Sequence, residues 1–215
     1  MSLIFENEAC LVKNKLIGES SEFPDDGAGK FPVHRLDTPV SGCLLLAKTP
    51  EAARFLSAAF AAGDVEKRYW AITEKPANGG AAEGGELIHW LHFDRVKNKS
   101  FACDKAAPGR KKALLRYRVS GAGKHYLFLE VDLVTGRHHQ IRAQLAAAGF
   151  HIKGDLKYGA RRSETSGGIR LHARSIIFPN PLSSAQRIEV KTLPPVMDAL
   201  WTAFAEAVGA KSTFP

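Results

Sequence analysis

The sequence predicts an α+β protein whose mixed, largely antiparallel sheet is flanked by helices. Three observations carry this. Short segments of strand length outnumber helical ones. The strands do not alternate strictly with helices, as a doubly wound sheet would require. Only three stretches show helical periodicity, at 49–64, 138–149 and 194–208.

The elements follow in order. "LIFENEACLVKNKLIG" reads as two strands around a turn at Glu6-Asn7-Glu8. "SSEFPDDGAGKFP" is polar and rich in Gly and Pro, so it is a loop. "GCLLLAK" is a continuous apolar run, as in a strand covered on both faces. In "TPEAARFLSAAFAAGD", Thr49 can cap a helix, Pro50 suits its first turn and Gly63 can end it, with Phe55, Leu56, Ala59 and Phe60 as the apolar stripe. "EKRYWAITE" is a strand and "KPANGGAAEGGE" a surface loop. "LIHWLHFDR", "KSFACDK" and "KKALLRYRVS" read as a meander, and "HYLFLEVDLVTGR" as a strand with a turn at Thr135-Gly136. A helix over "HHQIRAQLAAAG" ends at Gly149, and "IRLHARSIIFPNP" is a strand stopped by prolines. "PPVMDALWTAFAEAV" closes as a helix with Val196, Leu200, Phe204 and Val208 on one face.

Composition narrows the function. The 215 residues hold 30 Lys and Arg against 22 Asp and Glu, a formal charge of +8. Such a balance suits a polyanionic partner, nucleic acid or an anionic membrane, or serves solubility alone. Cys10, Cys43 and Cys103 are far apart, with no CxxC, which argues for a reducing compartment and against a disulfide framework or zinc ribbon. No signal peptide or membrane-length apolar run is present, so a cytoplasmic protein is expected. The "GAGK" runs do not fit a P-loop, and there is no HExxH or GxSxG. No metal site is expected.

Two segments stand out. In "TGRHHQIRAQL", Arg137, His138, His139 and Arg142 are expected in the opening turns of a helix, where the dipole is already positive. That placement suits an anion, either a phosphate or a carboxylate such as Asp37; a solvated basic turn is the plain alternative. In "EKRYWAI", Tyr69 shares a strand face with Lys67, while Arg68 and Trp70 point the other way. Tyr69 is either a core tyrosine or a ring that stacks on a base. Further basic clusters at 105–118 and 153–174 suit a phosphate backbone.

Together these residues resemble a family. "HRLDTPVSGCLLLAK" is similar to the HRLDxxTSG signature of the RluA-type pseudouridine synthases. "EKRYWAI" resembles their Lys-x-Tyr strand, "TGRHHQIRAQLAAAGFHIKGDLKYG" their GRTHQIR…GDxxYG segment, and "IRLHARSIIFPNP" their LHA strand. The motifs come in family order and cover nearly the whole chain. Val40 and His138 each stand where the family has Thr, and Leu16 where Pro is common.

The resemblance implies isomerisation of uridine to pseudouridine in ribosomal or transfer RNA. It implies one catalytic domain over 1–215, without the S4-like domain of some relatives; the lack of a coiled-coil pattern makes a monomer the default expectation. Asp37 is the implied essential carboxylate, as nucleophile or as base. Arg142 is its implied cationic partner, and Tyr69 the ring on the uracil. Leu171 would line the uracil pocket, and Arg35 would fill the space the flipped base leaves. His34, Lys67, Arg137, His138, His139 and Gln140 are the further implied RNA-binding residues. Two other classes compete: a non-catalytic RNA-binding or RNA-chaperone protein on the same fold, and a phosphate-handling enzyme using His138 and His139.

Overall fold

The computed structural model describes residues 1–22, 30–76 and 83–212, with side chains to residue 209. Much of the two predicted loops at 20–32 and 75–86 lies outside the described residues. The strands are β1 (Ser2–Glu6), β2 (Cys10–Lys15), β3 (Phe31–Pro32), β4 (Ser41–Ala47), β5 (Glu66–Glu74), β6 (Gly84–Asp94), β7 (Lys99–Cys103), β8 (Lys111–Ala122), β9 (Tyr126–Leu133), β10 (Leu171–Asn180) and β11 (Ser183–Lys191). The helices are α1 (Pro50–Ala62), α2 (Gln140–Ala147) and α3 (Ala199–Ser212), with a 3-10 turn at Leu156–Tyr158. The chain divides into two compact units, 1–68 with 172–196, and 69–171 with 197–215.

In the first unit, the β1–β2 turn is built by Asn7. Its Oδ1 accepts from the N–H groups of Ala9 and Cys10 at 2.9 and 2.8 Å. β2 runs antiparallel to β4, and β4 pairs in parallel with β10 at His172–Ser41 and Ala173–Gly42. β11 lies antiparallel on β10. Alternate residues of each strand form one core with α1: Cys10 and Val12, Cys43, Leu45 and Ala47, Ile176 and Phe178, with Leu56 and Ala59. Leu44 and Leu46, on the other face of β4, are also fully buried, as the unbroken apolar run predicts. The predicted caps of α1 hold: Thr49 Oγ1 accepts from Ala52 N–H at 3.1 Å, and Gly63 takes the left-handed conformation.

In the second unit, the strand order is β5-β9-β8-β6-β7. Trp70 and Ile72 of β5 and Phe128 of β9 pack with Trp201 and Phe204 of α3. α2 is pinned by Gln144, whose buried Nε2 donates to the carbonyls of Leu87 at 2.9 Å and Ala113 at 3.3 Å. A second small core joins Leu91, Ala113, Ala143 and Tyr158.

Four expectations change. The second strand β11, polar and mostly exposed, was hidden because an edge strand needs no apolar alternation. Pro179 does not stop β10: it pairs with Arg187 in the register, and a bulge follows it. Val196 is 74% exposed and precedes α3; the helix instead begins after Asp198, whose carboxylate accepts from Trp201 N–H at 3.1 Å. Arg137, His138 and His139 are not in the helix. α2 starts at Gln140, and His139 sits at its cap with φ 50°. Only Arg142 keeps the helical position on which the dipole argument rested.

A buried ionic cluster closes the second unit. Glu164 accepts from Arg170 Nε at 2.8 Å and from Lys153, and Arg170 also reaches Asp198. Burial alone would raise the Glu164 carboxyl, but the hydrogen bonds and charges of Arg170 and Lys153 overcome it and hold it at about 2. In the first unit, burial pushes His34 down to about 3, helped by the charge of Lys67, and His172 down to about 4. These groups all bind fewer protons folded than unfolded at acid pH, so each loses stability as pH falls. The first unit should start to weaken as pH falls below 6.5, the ordinary value of its histidines, whereas the stability supplied by Glu164 is full above 4.5 and is lost only as pH falls from there towards about 2. Hydrogen exchange along a pH series should show the amides of Val12 losing protection before those of Phe128. The reverse order would contradict these assignments.

Candidate active site

The loop carrying Asp37 is held from both sides by backbone bonds. Ser21 Oγ accepts from Leu36 N–H at 3.0 Å and donates to Leu36 O at 2.9 Å. Asp37 O accepts from Val40 N–H at 2.9 Å, closing a tight turn. Thr38 O accepts from Gly18 N–H at 2.9 Å and from the Lys15 ammonium at 3.2 Å. Val40, where the family motif has Thr, is buried, and its contribution to the turn is a main-chain one. The departure therefore leaves the turn's hydrogen bond intact.

Lys15 was missed by sequence reasoning. It is 0% exposed, and its ammonium donates to the carbonyls of Leu16 at 2.9 Å and Thr38 at 3.2 Å. Burial lowers it to about 8, while the negative charges of Glu19 and Asp37 act the other way. β2 ends in the polar run "KNK", with two lysines, and nothing in it marks Lys15 as the one that becomes fully enclosed.

β4 leaves this loop through Gly42, whose φ of 119° and neighbours explain the glycine of the motif. A Cβ there would stand 2.3 Å from the Ala173 carbonyl oxygen of β10. Ser41, one residue earlier, meets the buried His172. Thr192 O can only accept, so His172 Nε2 donates to it at 3.0 Å, and Nδ1 accepts from the Ser41 hydroxyl at 2.9 Å. The histidine of the LHA strand, in its neutral form, thus ties β4 and β10 to Thr192, the residue that follows β11. Gly42→Ala should cost at least about 3 kcal/mol, since both the φ and the backbone contact resist it. A drop in urea midpoint with unchanged slope would measure it.

The other residues predicted in this unit divide by role. His34 Nε2 accepts from Leu45 N–H at 2.9 Å, and its ring stacks on Phe60 at 5.0 Å. That contact makes it a brace for β4. Lys67 lies over the same Phe60 ring at 5.6 Å. Arg35 is exposed and meets Glu22 at 3.2 Å, a surface pair worth little in stability.

In the second unit Tyr69 and Leu171 are buried. Arg142 is buried too, and its guanidinium grips Asp155 with two bonds, Nε to Oδ2 at 2.7 Å and Nη2 to Oδ1 at 2.8 Å. The guanidinium also lies 4.9 Å over the ring of Tyr158. Asp155 and Tyr158 are the Asp and Tyr of the GDxxYG segment, to which sequence reasoning gave no role. Helix and turn lie 13 residues apart in sequence, and only folding shows that they meet. Gly154 has φ 91°, and a Cβ on it would come within 2.8 Å of Glu164 Cβ. This is the close approach that requires the glycine before Asp155.

The turn before α2 is organised by Gln140. Its Nε2 donates to Leu114 O at 3.0 Å, and its Oε1 accepts from Thr135 Oγ1 at 2.8 Å and Arg137 N–H at 2.9 Å. Gln140 is buried with its amide committed, so it positions the turn rather than reaching outward. Arg137 is exposed and donates from Nε to Lys112 O at 3.2 Å. His138 and His139 stack with ring centres 3.8 Å apart. Tyr158 Oη accepts from Ser100 N–H at 2.9 Å and meets His139 Nδ1 at 3.0 Å. This contact secures the left-handed His139 backbone.

In the first unit the loop that carries Asp37 is fixed through its main chain; in the second, Asp155 clamps Arg142 of α2, the helix that follows the turn bearing Arg137, His138 and His139. The family model described as RNA pseudouridylate synthase matches residues 18–147, more than half of the 215. The chain belongs to the RNA pseudouridylate synthase family. It is 36% identical over 146 residues to an uncharacterised RNA pseudouridine synthase of Zymomonas mobilis, covering 67% of this chain and 64% of that protein. It is 35% identical over 191 residues to a tRNA pseudouridine synthase C of Haemophilus ducreyi, covering 80% and 74%. A ribosomal large subunit pseudouridine synthase C of Vibrio cholerae is 31% identical over 74% of this chain and 50% of its own length. The chain therefore spans between half and three quarters of these relatives.

The solved human RNA pseudouridylate synthase domain containing 1 has the same fold, with a TM-score of 0.72 at 22% identity, covering 100% and 95% of the chains. This agrees with the α+β class. Enzymes of the family isomerise uridine to pseudouridine in RNA. No helix among the described residues is long and apolar enough to cross a membrane.

Proposed function

We propose that this protein is an RNA pseudouridine synthase acting on transfer RNA, with Asp37 as the essential carboxylate. The observation that carries the reading is the HRLD loop. It keeps its carboxylate on a turn fixed by Ser21, Lys15 and main-chain bonds, in a chain that matches the family model. A binding module has no use for an acid held so rigidly in a basic protein, so the non-catalytic reading is not favoured. Transfer RNA is favoured because the relative with the larger shared coverage is named for it.

In the reaction the N1–C1′ bond breaks, the uracil turns, and C5 bonds to C1′; the C5 proton is lost and N1 gains one. No atom is added, so no cofactor is required. Asp37 serves as nucleophile on the sugar or as base. Tyr69, Arg142 and Leu171 take the roles of uracil-stacking ring, cationic partner of the carboxylate and pocket wall. Arg35, exposed beside the loop, fills the place of the flipped base. Arg137 contacts phosphate.

The test is to incubate the protein with transfer and ribosomal RNA from a strain lacking it, then map pseudouridine. New pseudouridine in transfer RNA is expected. Modification of ribosomal RNA alone would overturn the substrate, and none in either would overturn the enzyme.

A further inference from the structure

His138 is one of the positions where this chain departs from the family motifs, and its surroundings give the substitution a purpose. Its ring centre stands 4.1 Å from that of Phe93 of β6, the two planes tilted by 47°, and 3.8 Å from that of His139, on which it stacks. Ser100 locks it in place. The Ser100 hydroxyl donates to His138 O at 2.6 Å, so it is the ring Nδ1–H that donates to Ser100 Oγ, at 3.2 Å. Backbone and ring are thus both held by one residue of β7. Phe93 pairs with Ser100 in the β6–β7 register, so the two share a face of the hairpin.

An apolar core does not account for this arrangement. Phe93 remains 40% exposed, and the two imidazoles are only partly buried. The hairpin turn that follows, "DRVKNK", carries three cations and one acid, Asp94, which is used to bind Lys97 N–H at 3.0 Å. Lys99 reaches back over the ring of Tyr158 at 4.8 Å. A rigid, half-exposed aromatic ladder beside cations is the construction that holds an unpaired nucleobase: the ring faces stack, and the cations take the adjoining phosphate.

We propose that Phe93 and His138 form a stacking platform for one unpaired base of the RNA, other than the uridine that is isomerised. The proposal rests on the RNA-modifying function above and refines it. A threonine at 138, as in the family motif, has no ring face, so the platform is a feature of this chain. His138 contributes by stacking and not by charge, in contrast to the phosphate role of Arg137.

The probe is a short oligouridine carrying one 2-aminopurine, titrated with the full chain over a salt series. Stacking should quench the 2-aminopurine. Phe93→Ala and His138→Thr should each weaken binding by about 5- to 10-fold and relieve the quenching, since a stacked base contributes at the lower end of the usual range here. The slope of log affinity against log salt should not change, because no phosphate contact is lost. His138→Phe should keep both affinity and quenching. Unchanged affinity in the first two variants would overturn the platform. A slope reduced by about 0.7 would also overturn it, because His138 would then be a phosphate contact. Matched thermal midpoints for the variants and wild type exclude unfolding as the cause. Pseudouridine formation by the wild type, assayed separately, reports on the function itself. Its absence with the binding result intact would sink the enzyme reading and leave the platform standing.

Discussion

Asp37→Asn and Asp37→Ala should abolish pseudouridine formation, lowering the rate by on the order of 10⁴-fold or more, while the protein stays folded and still binds RNA. The expectation follows from how the loop is built. Its geometry depends on the Leu36 clamp by Ser21, the Asp37 O to Val40 N–H turn and the Thr38 O bond to Lys15. All of these use main-chain atoms of residues 36–40, which substitution of the Asp37 side chain retains. The carboxylate is therefore removable without taking the scaffold with it. Loss of a group that reacts directly with the substrate costs several powers of ten, beyond what altered binding explains. Thermal unfolding and RNA affinity near wild type, beside lost activity, would place the residue at the chemistry. Activity within tenfold of wild type in Asp37→Ala would remove it from that role.

Asp155→Ala should have the largest effect on stability, about 3–5 kcal/mol, because it leaves the buried Arg142 guanidinium without its two-bond partner. It should also abolish activity, since Arg142 would no longer be held in one orientation. Structure and catalysis can be separated here. Replacing both charges together, Arg142→Met with Asp155→Leu, removes the unpaired charge and should recover a large part of the lost stability. Activity should remain absent in this double variant, because the proposed cationic partner of the carboxylate is gone. A double variant that is stable and active would show that the pair is only structural. Urea titrations and single-turnover pseudouridine assays on the same preparations read the two effects independently.

Much of this protein is legible in its residues. The period of apolar side chains located β2, β4, β5, β8, β9 and α1, because burial on one or both faces leaves a local pattern. The caps of α1 were equally local: Thr49 and Gly63 act within a few residues. Short motifs in family order identified the loop around Asp37 and the turn before α2. Where sequence reasoning fell short, the deciding contact was remote or chain geometry overrode propensity. β11 lacks an apolar period since it is paired on β10 and mostly exposed. The turn over residues 137–139 continues outside the helix because Gln140 ties it to Leu114 and Thr135, far back in β8 and just after β9.

The sequence by itself therefore determined the α+β class, the family and the candidate carboxylate, all of which rest on order and spacing along the chain. Tertiary structure alone decided which partners complete each residue. It paired Arg142 with Asp155, enclosed Lys15 under Thr38, joined Ser41 to His172 across 131 positions and set His138 against Phe93. A charge or ring carries no mark of its future neighbour, because its energy depends on what desolvates it and what answers it once the chain has closed.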